Sequence, residues 1–124
     1  MIRWVTPFAN MFRTATRSIE IRGKTIEEGQ MIGLMYPSAN RDPRVFEDPF
    51  RFDVRRGPRA EKHIAFGFGS HFCLGANLAR LELRTALRAL LRRFNTVALK
   101  PGGRNEWASS SFTRGPLHMD LVFG

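Results

Sequence analysis

Cysteine occurs once in this chain of 124 residues, at position 73, inside the run Phe66-Gly67-Phe68-Gly69-Ser70-His71-Phe72-Cys73-Leu74-Gly75. The run leads into the strongest helical pattern of the sequence. A helix start offers unpaired N–H groups and the positive end of a dipole, and both favour thiolate over thiol. Gly67, Gly69 and Gly75 carry no Cβ, so backbone can approach the sulfur closely. Phe66, Phe68 and Phe72 are expected to shield it from water. A shielded thiolate held by amides needs a positive partner, and a metal is the obvious one. A single Cys excludes both a disulfide and a multi-cysteine zinc site. One thiolate ligand therefore points to a metal already held by a macrocycle, namely haem iron. The rival chemistries are weaker. A cysteine nucleophile needs a base, and His71, two residues away in a loop, need not reach the sulfur. Gly67-x-Gly69 is not a dinucleotide fingerprint, because Phe72 stands where the third Gly should be. A lone cysteine is otherwise most often a buried structural thiol.

The elements that must position this run follow from periodicity. Residues 74–94 are rich in Ala, Leu, Arg and Glu, and no Pro or Gly falls between Gly75 and Pro101. Leu83, Leu87, Leu90 and Phe94 recur at helical spacing, as do Leu74, Leu78 and Leu81, so two stripes predict burial on more than one side. Met11–Thr16, Ile19–Ile21, Thr25-Ile26 and Met31–Tyr36 read as short strands. Arg22-Gly23 and Glu28-Gly29 mark the turns, and Pro37 ends the last run. Residues 1–5 are too few apolar residues to make a helix alone, and Pro7 stops any helix nearby. Asn40 to about Ser70 is irregular, punctuated by Pro43, Pro49, Gly57, Pro58, Gly67 and Gly69. Loops of that length are usually functional. Val97–Leu99, the turn Pro101-Gly102-Gly103, Ser110–Thr113 and the alternating run His118–Phe123 complete a strand-and-turn tail.

Composition is that of one globular domain or part of one, at 43% hydrophobic and 25% charged residues. No apolar run approaches the ~20 residues of a membrane-spanning helix. The start lacks the apolar core of a signal peptide. With no disulfide possible, a reducing cytoplasm is expected. Charge is the loud feature: 20 basic residues, 17 of them Arg, against 11 acidic ones give +9. The excess suits an anionic partner, and Arg suits planar contacts with carboxylate or phosphate. Both halves are basic, so no disordered basic arm exists. Arg80, Arg84, Arg88 and Arg92 form an i, i+4 series along the long helix, a solvated face or a docking face for an acidic protein. His63 and His118 have no partner that the sequence names.

The spacing Phe66-x-x-Gly69-x-His71-x-Cys73-x-Gly75 resembles the cysteine-ligand loop of the cytochrome P-450 family, the haem-thiolate monooxygenases. The resemblance covers nearly the whole chain. Ala76-Asn77-Leu78-Ala79-Arg80-Leu81-Glu82 is similar to the helix after the ligand in bacterial members. Asn40-Arg41-Asp42-Pro43 and Asp48-Pro49-Phe50-Arg51-Phe52 are similar to the segment before the loop. Phe12-Arg13-Thr14-Ala15-Thr16 is similar to a strand whose Arg meets a haem propionate. The fold so implied is mixed α/β: small strands, the ligand loop, one long helix and terminal strands, the C-terminal part of a mainly α fold. Residues 1–124 would then be one C-terminal haem-binding portion whose N-terminal part is missing.

Carried over residue by residue, the resemblance implies Cys73 as iron ligand, Arg13 and His71 as propionate partners, and Phe66, Gly67 and Gly75 as the cofactor cradle. Phe8, Ala9, Asn10, Met11, Ser111, Phe112 and Thr113 fall where members contact substrate. Arg3 is similar to the Arg of the family's Glu-x-x-Arg motif, and Arg51 to its more distant partner. Arg84, Arg88 and Arg92 would meet an acidic ferredoxin-type electron donor. The implied substrate is an apolar small molecule, a steroid, terpenoid or fatty chain, with no nucleic acid or membrane as partner. A Glu three residues before Arg3 would precede Met1, and the long central helix that carries the family's oxygen-protonation groups is absent. The expectation is therefore a haem-ligating fragment that is inactive alone, its apolar faces exposed, associating with itself or with a complementary N-terminal chain. Two readings stay open beside it: a basic nucleic-acid-binding module, and a non-enzymatic remnant.

Overall fold

The computed structural model describes residues 1–57 and 62–124; Pro58 of the irregular stretch lies outside them. The chain forms two units. The first comprises residues 1–65 and 110–114, the second residues 66–109 and 115–124.

In the first unit a short helix, α1 (Ile2–Val5), is closed by Thr6. Thr6 adopts a left-handed φ of 39° and donates its hydroxyl to the Arg3 carbonyl at 2.6 Å. Four strands follow: β1 (Asn10–Thr14), β2 (Ile19–Ile21), β3 (Lys24–Ile26) and β4 (Met31–Met35). β1 pairs antiparallel with β4, Asn10 opposite Met35 and Thr14 opposite Met31, and β2 with β3 forms a nested hairpin. Arg22 (φ 52°) and Gly23 (φ 73°) both take positive φ, the two-residue turn whose twist suits a tight hairpin. The four strands predicted between Met11 and Tyr36 are present, each within two residues of its expected ends.

Two short helices were not expected. α1 is a single turn whose cap is supplied by its own Thr6. α2 (Tyr36–Ala39) begins where Pro37 was expected only to end a strand. Proline's fixed φ and missing N–H are harmless in the first turn of a helix, so the residue that stops β4 also starts α2. The centre of this unit is small and mixes apolar with polar side chains. Tyr36, Phe46, Ala15 and Ala65 are buried together with Arg3, Thr6 and Asn40.

The second unit holds the cysteine loop, with one turn of 3-10 helix at Gly69–His71, then the long helix α3 (Ala76–Arg93). Four strands follow: β5 (Val97–Leu99), β6 (Asn105–Trp107), β7 (Pro116–Met119) and β8 (Leu121–Phe123). β5 pairs with β8 and β6 with β7, both antiparallel. β6 was not foreseen, since Asn-Glu-Trp shows no alternation. Ser110–Thr113, expected as strand, supplies only a bridge from Thr113 to Phe8.

The expected single strand His118–Phe123 is interrupted at Asp120. That residue's amide donates to the Arg104 carbonyl (3.0 Å), and its carbonyl accepts from the Lys100 amide (3.0 Å). It thus serves two hairpins at once and cannot continue one ladder. α3 starts at Ala76, later than the predicted 74, and Ala76 is its one buried residue. Its expected burial on more than one side is not found: Leu78, Leu81, Leu83, Leu90 and Leu91 are exposed. Apolar spacing marks which faces suit burial, but it does not supply the neighbour that buries them.

Candidate haem-ligand site

The cysteine loop is built by three local devices. The Cys73 amide donates to the Phe66 carbonyl at 2.9 Å, closing the loop, and the Phe72 amide donates to the Gly69 carbonyl at 3.0 Å, tightening its tip. Gly67 and Gly69 both have φ of 76°, a conformation open to glycine and strained for other residues. The Phe66 and Phe72 rings meet edge to face with centroids 6.3 Å apart. The Arg80 guanidinium lies 4.7 Å from the Phe66 centroid.

The sulfur itself is exposed, and so are Phe68, Phe72 and Leu74. The expectation that Phe66, Phe68 and Phe72 shield the thiol is therefore corrected. Of the three rings only Phe66 is half-buried, held by Phe72 and Arg80. Phe68 stays 87% exposed, because the positive-φ glycines on either side turn it outward.

This loop fits a flat apolar macrocycle bearing one metal. It presents one soft donor ringed by uncovered aromatic and aliphatic side chains. Gly75 lies beside the sulfur: a Cβ built there would make an ordinary contact with Cys73 Sγ at 4.0 Å. Among the described residues no group of three His, Cys, Asp or Glu could hold a bare ion. His71 ends the 3-10 turn, exposed two residues from the sulfur. Arg13 lies on β1, exposed, and its Nη1 donates to the adjacent Phe12 carbonyl at 2.7 Å.

Two of the predicted segments are brought together across a hundred residues. Phe8 bridges Thr113, the Ala9 amide donates to the Phe112 carbonyl (2.8 Å), and Asn10 Nδ2 donates to the Ser111 carbonyl (2.9 Å). The Phe8 and Phe112 rings meet at 5.2 Å, and Met11 continues the same strand, β1.

Arg3 is buried in the first unit. Its Nη1 donates to the Asn40 carbonyl (2.6 Å) and the Pro49 carbonyl (3.2 Å), and its guanidinium lies 4.8 Å from the Phe46 ring centroid. Burial holds its pKa below the ordinary arginine value, with the charges of Arg56 and then Arg41 acting in the same direction. Of these two guanidiniums, that of Arg56 is given no role by the sequence. Arg56 Nη2 donates to the carbonyls of Asp48 (2.5 Å) and Arg51 (3.0 Å), and its Nη1 to that of Glu47. Its Nε is buried without a partner among the described residues. Arg51, read from the resemblance as the more distant partner of Arg3, is exposed, and its carbonyl accepts from Arg56. Nothing in the spacing separates Arg51, Arg55 and Arg56; only the fold of the loop over residues 47–57 does.

Arg84, Arg88 and Arg92 are exposed along α3, whereas Arg80 is half-buried. The two histidines without a nameable partner both have contacts. His118 Nε2 is 2.8 Å from Asp120 Oδ1, and His63 Nδ1 accepts from the Ala65 amide at 3.2 Å.

The family model for cytochrome P-450 matches residues 1–121. A steroid C26-monooxygenase of Mycolicibacterium smegmatis is 43% identical over 123 residues, which are 99% of this chain and 30% of that protein. A methyl-branched lipid omega-hydroxylase of Mycobacterium bovis is 47% identical over 98 residues, 78% of this chain and 22% of that one. The solved structure of cytochrome P-450-153 from Novosphingobium aromaticivorans superposes with a TM-score of 0.91 at 41% identity, covering 99% of this chain and 30% of the other. The chain belongs to the cytochrome P-450 family, whose members bind haem. It spans less than a third of the length of these relatives. Membership sets the haem-protein family above the basic nucleic-acid-binding module. No helix among the described residues is long and apolar enough to cross a membrane.

Proposed function

We propose that residues 1–124 are the C-terminal, haem-ligating portion of a bacterial monooxygenase, and that Cys73 is its iron ligand. The observation that carries this reading is the loop geometry. One exposed sulfur stands at the end of a glycine-shaped loop, ringed by uncovered apolar side chains, directly before the longest helix. When bound there, haem supplies two-electron activation of O₂ and insertion of one oxygen atom into a C–H bond, with thiolate ligation favouring O–O cleavage.

The chain's own residues have distinct tasks. Gly75 lines the cradle beside the sulfur. Arg13 and His71 bind the propionates by charge-assisted hydrogen bonds. Phe66 and Gly67 hold the cradle. The joined segments Phe8–Met11 and Ser111–Thr113 give one apolar wall for substrate, with the Phe8 and Phe112 rings at its centre. Relatives named for a steroid and for a methyl-branched lipid support an apolar substrate. Arg3 and Arg51 are structural, and the charges of Arg56 and Arg41 act on Arg3 as well. The exposed Arg84, Arg88 and Arg92 dock an acidic ferredoxin-type donor.

The test is an absorption spectrum of the purified chain with added haem, reduced under carbon monoxide. Thiolate ligation gives the red-shifted Soret band of the family, and C73S abolishes it. Haem uptake with an ordinary Soret position in both proteins would refute ligation by Cys73. In the complete enzyme, R84E/R88E is expected to slow reduction by an acidic donor and to flatten its salt dependence. The isolated chain is expected to turn over no hydroxylation substrate, and any turnover with an electron donor overturns that part.

A further inference from the structure

We propose that Arg80 is a positioning residue for the cysteine loop: its guanidinium, laid over the Phe66 ring, holds Phe66 in place and through it the hydrogen bond that fixes Cys73. Arg80 is one turn beyond Ala76, the buried residue of α3, and so shares the face of the helix turned inward. The i, i+4 series advances about 40° per step, which carries Arg84, Arg88 and Arg92 round into solvent. Arg80 therefore departs from the row its spacing suggests. It is half-buried, it pairs with no carboxylate among the described residues, and its guanidinium lies 4.7 Å from the Phe66 centroid.

The same ring meets the Phe72 edge at 6.3 Å, and the Phe66 carbonyl accepts the Cys73 amide at 2.9 Å. A ring gripped by a cation and by an aromatic neighbour resists rotation. Its backbone carbonyl is then fixed where the cysteine amide needs it. A planar guanidinium can lie flat on the ring; an ammonium makes only the charge contact. The proposal rests on Cys73 being the haem ligand only for its functional consequence, not for the loop contact itself.

The test uses hydrogen exchange of the Cys73 amide in the full chain without haem, comparing R80M, R80K, F66L and R80M/F66L. Loss of a partly desolvated cation–π contact predicts exchange about tenfold faster in R80M and roughly threefold faster in R80K. F66L is expected to match R80M, and the double variant to be no faster than F66L alone. The Phe94 amide, bonded to the Leu90 carbonyl at the far end of α3, serves as the reference and keeps its wild-type rate. If R80M leaves Cys73 exchange unchanged, or if the two substitutions multiply, the positioning role is overturned. Should R80M unfold the chain, R80K against F66L decides: a wild-type rate in R80K overturns the role. With haem bound, R80M is further expected to shift the reduction potential negative, and this shift to vanish in the F66L background. A missing red-shifted carbon-monoxide band in the wild type would instead refute ligation by Cys73 and leave the exchange result standing.

Discussion

Asp42 has a strongly displaced carboxyl, and its main cause is local, with a smaller contribution from the charge of Arg22. Its carboxylate accepts the Arg44 amide at 2.9 Å and grips the Arg44 side chain through Nε (2.8 Å) and Nη2 (2.5 Å). The Arg44 side chain and then its amide lower the Asp42 pKa to about 2. A depressed carboxylate stabilises the fold fully above its unfolded value near ~3.9 and loses that contribution as pH falls through about 2. NMR titration of the Asp42 carboxyl is expected to give a midpoint near 2, moving up towards the ordinary value in R44M. Asn40 matters for a different reason. Fully buried, it donates Nδ2 to Thr6 Oγ1 (2.9 Å), accepts the Ile64 amide on Oδ1 (2.8 Å), and offers its carbonyl to Arg3. N40A removes the acceptor of the part-buried Ile64 amide and leaves Thr6 Oγ1 only its bond to the Arg3 carbonyl, and is expected to cost about 1–3 kcal/mol, measured by denaturant unfolding. The sequence announces Asn40 only as part of a family-like tetrapeptide; nothing in its type says that it joins α1, α2 and the loop to Ile64.

At the scale of elements, the second unit shows how one residue can arrest a strand. Asp120 leaves the ladder because its backbone serves Arg104 and Lys100, while its carboxylate accepts the Arg104 amide (2.9 Å) and meets His118. Gly103 makes that crossing possible. A Cβ there would stand 2.8 Å from Asp120 Cβ and 2.9 Å from the Lys100 carbonyl oxygen. G103A must displace backbone and is expected to lower stability by about 1–3 kcal/mol, read as a fall in Tm of several degrees. Gly102, at φ 68°, sets the adjoining turn. The turn Pro101-Gly102-Gly103 was legible because its residue types have narrow conformational uses. The break at Asp120 was not, because alternation of Met119, Leu121 and Phe123 continues straight through it.

For the whole molecule, charge and exposed apolar surface act together. At +9 the chain repels its own copies at low salt, yet α3 leaves Leu78, Leu81 and Leu91 uncovered. Salt screens the repulsion and leaves the apolar attraction intact. Sedimentation velocity of the isolated chain is therefore expected to show self-association that grows with salt and falls in L78Q/L81Q. Salt-independent monomers would refute this.

The sequence by itself determined the cysteine loop, the long helix, both tight turns and the family, because each is written in neighbouring residues. Glycines at positive φ, a lone thiol and a 3.6-residue repeat are local facts. Only the tertiary structure decided that the charges of Arg56 and Arg41 act on Arg3, that Arg80 turns away from its row onto Phe66, and that Phe8–Asn10 meets Ser111–Thr113. These depend on which of several chemically equal side chains the backbone brings within reach. Contact between residues far apart along a chain is a property of the folded path, which residue type and spacing do not encode.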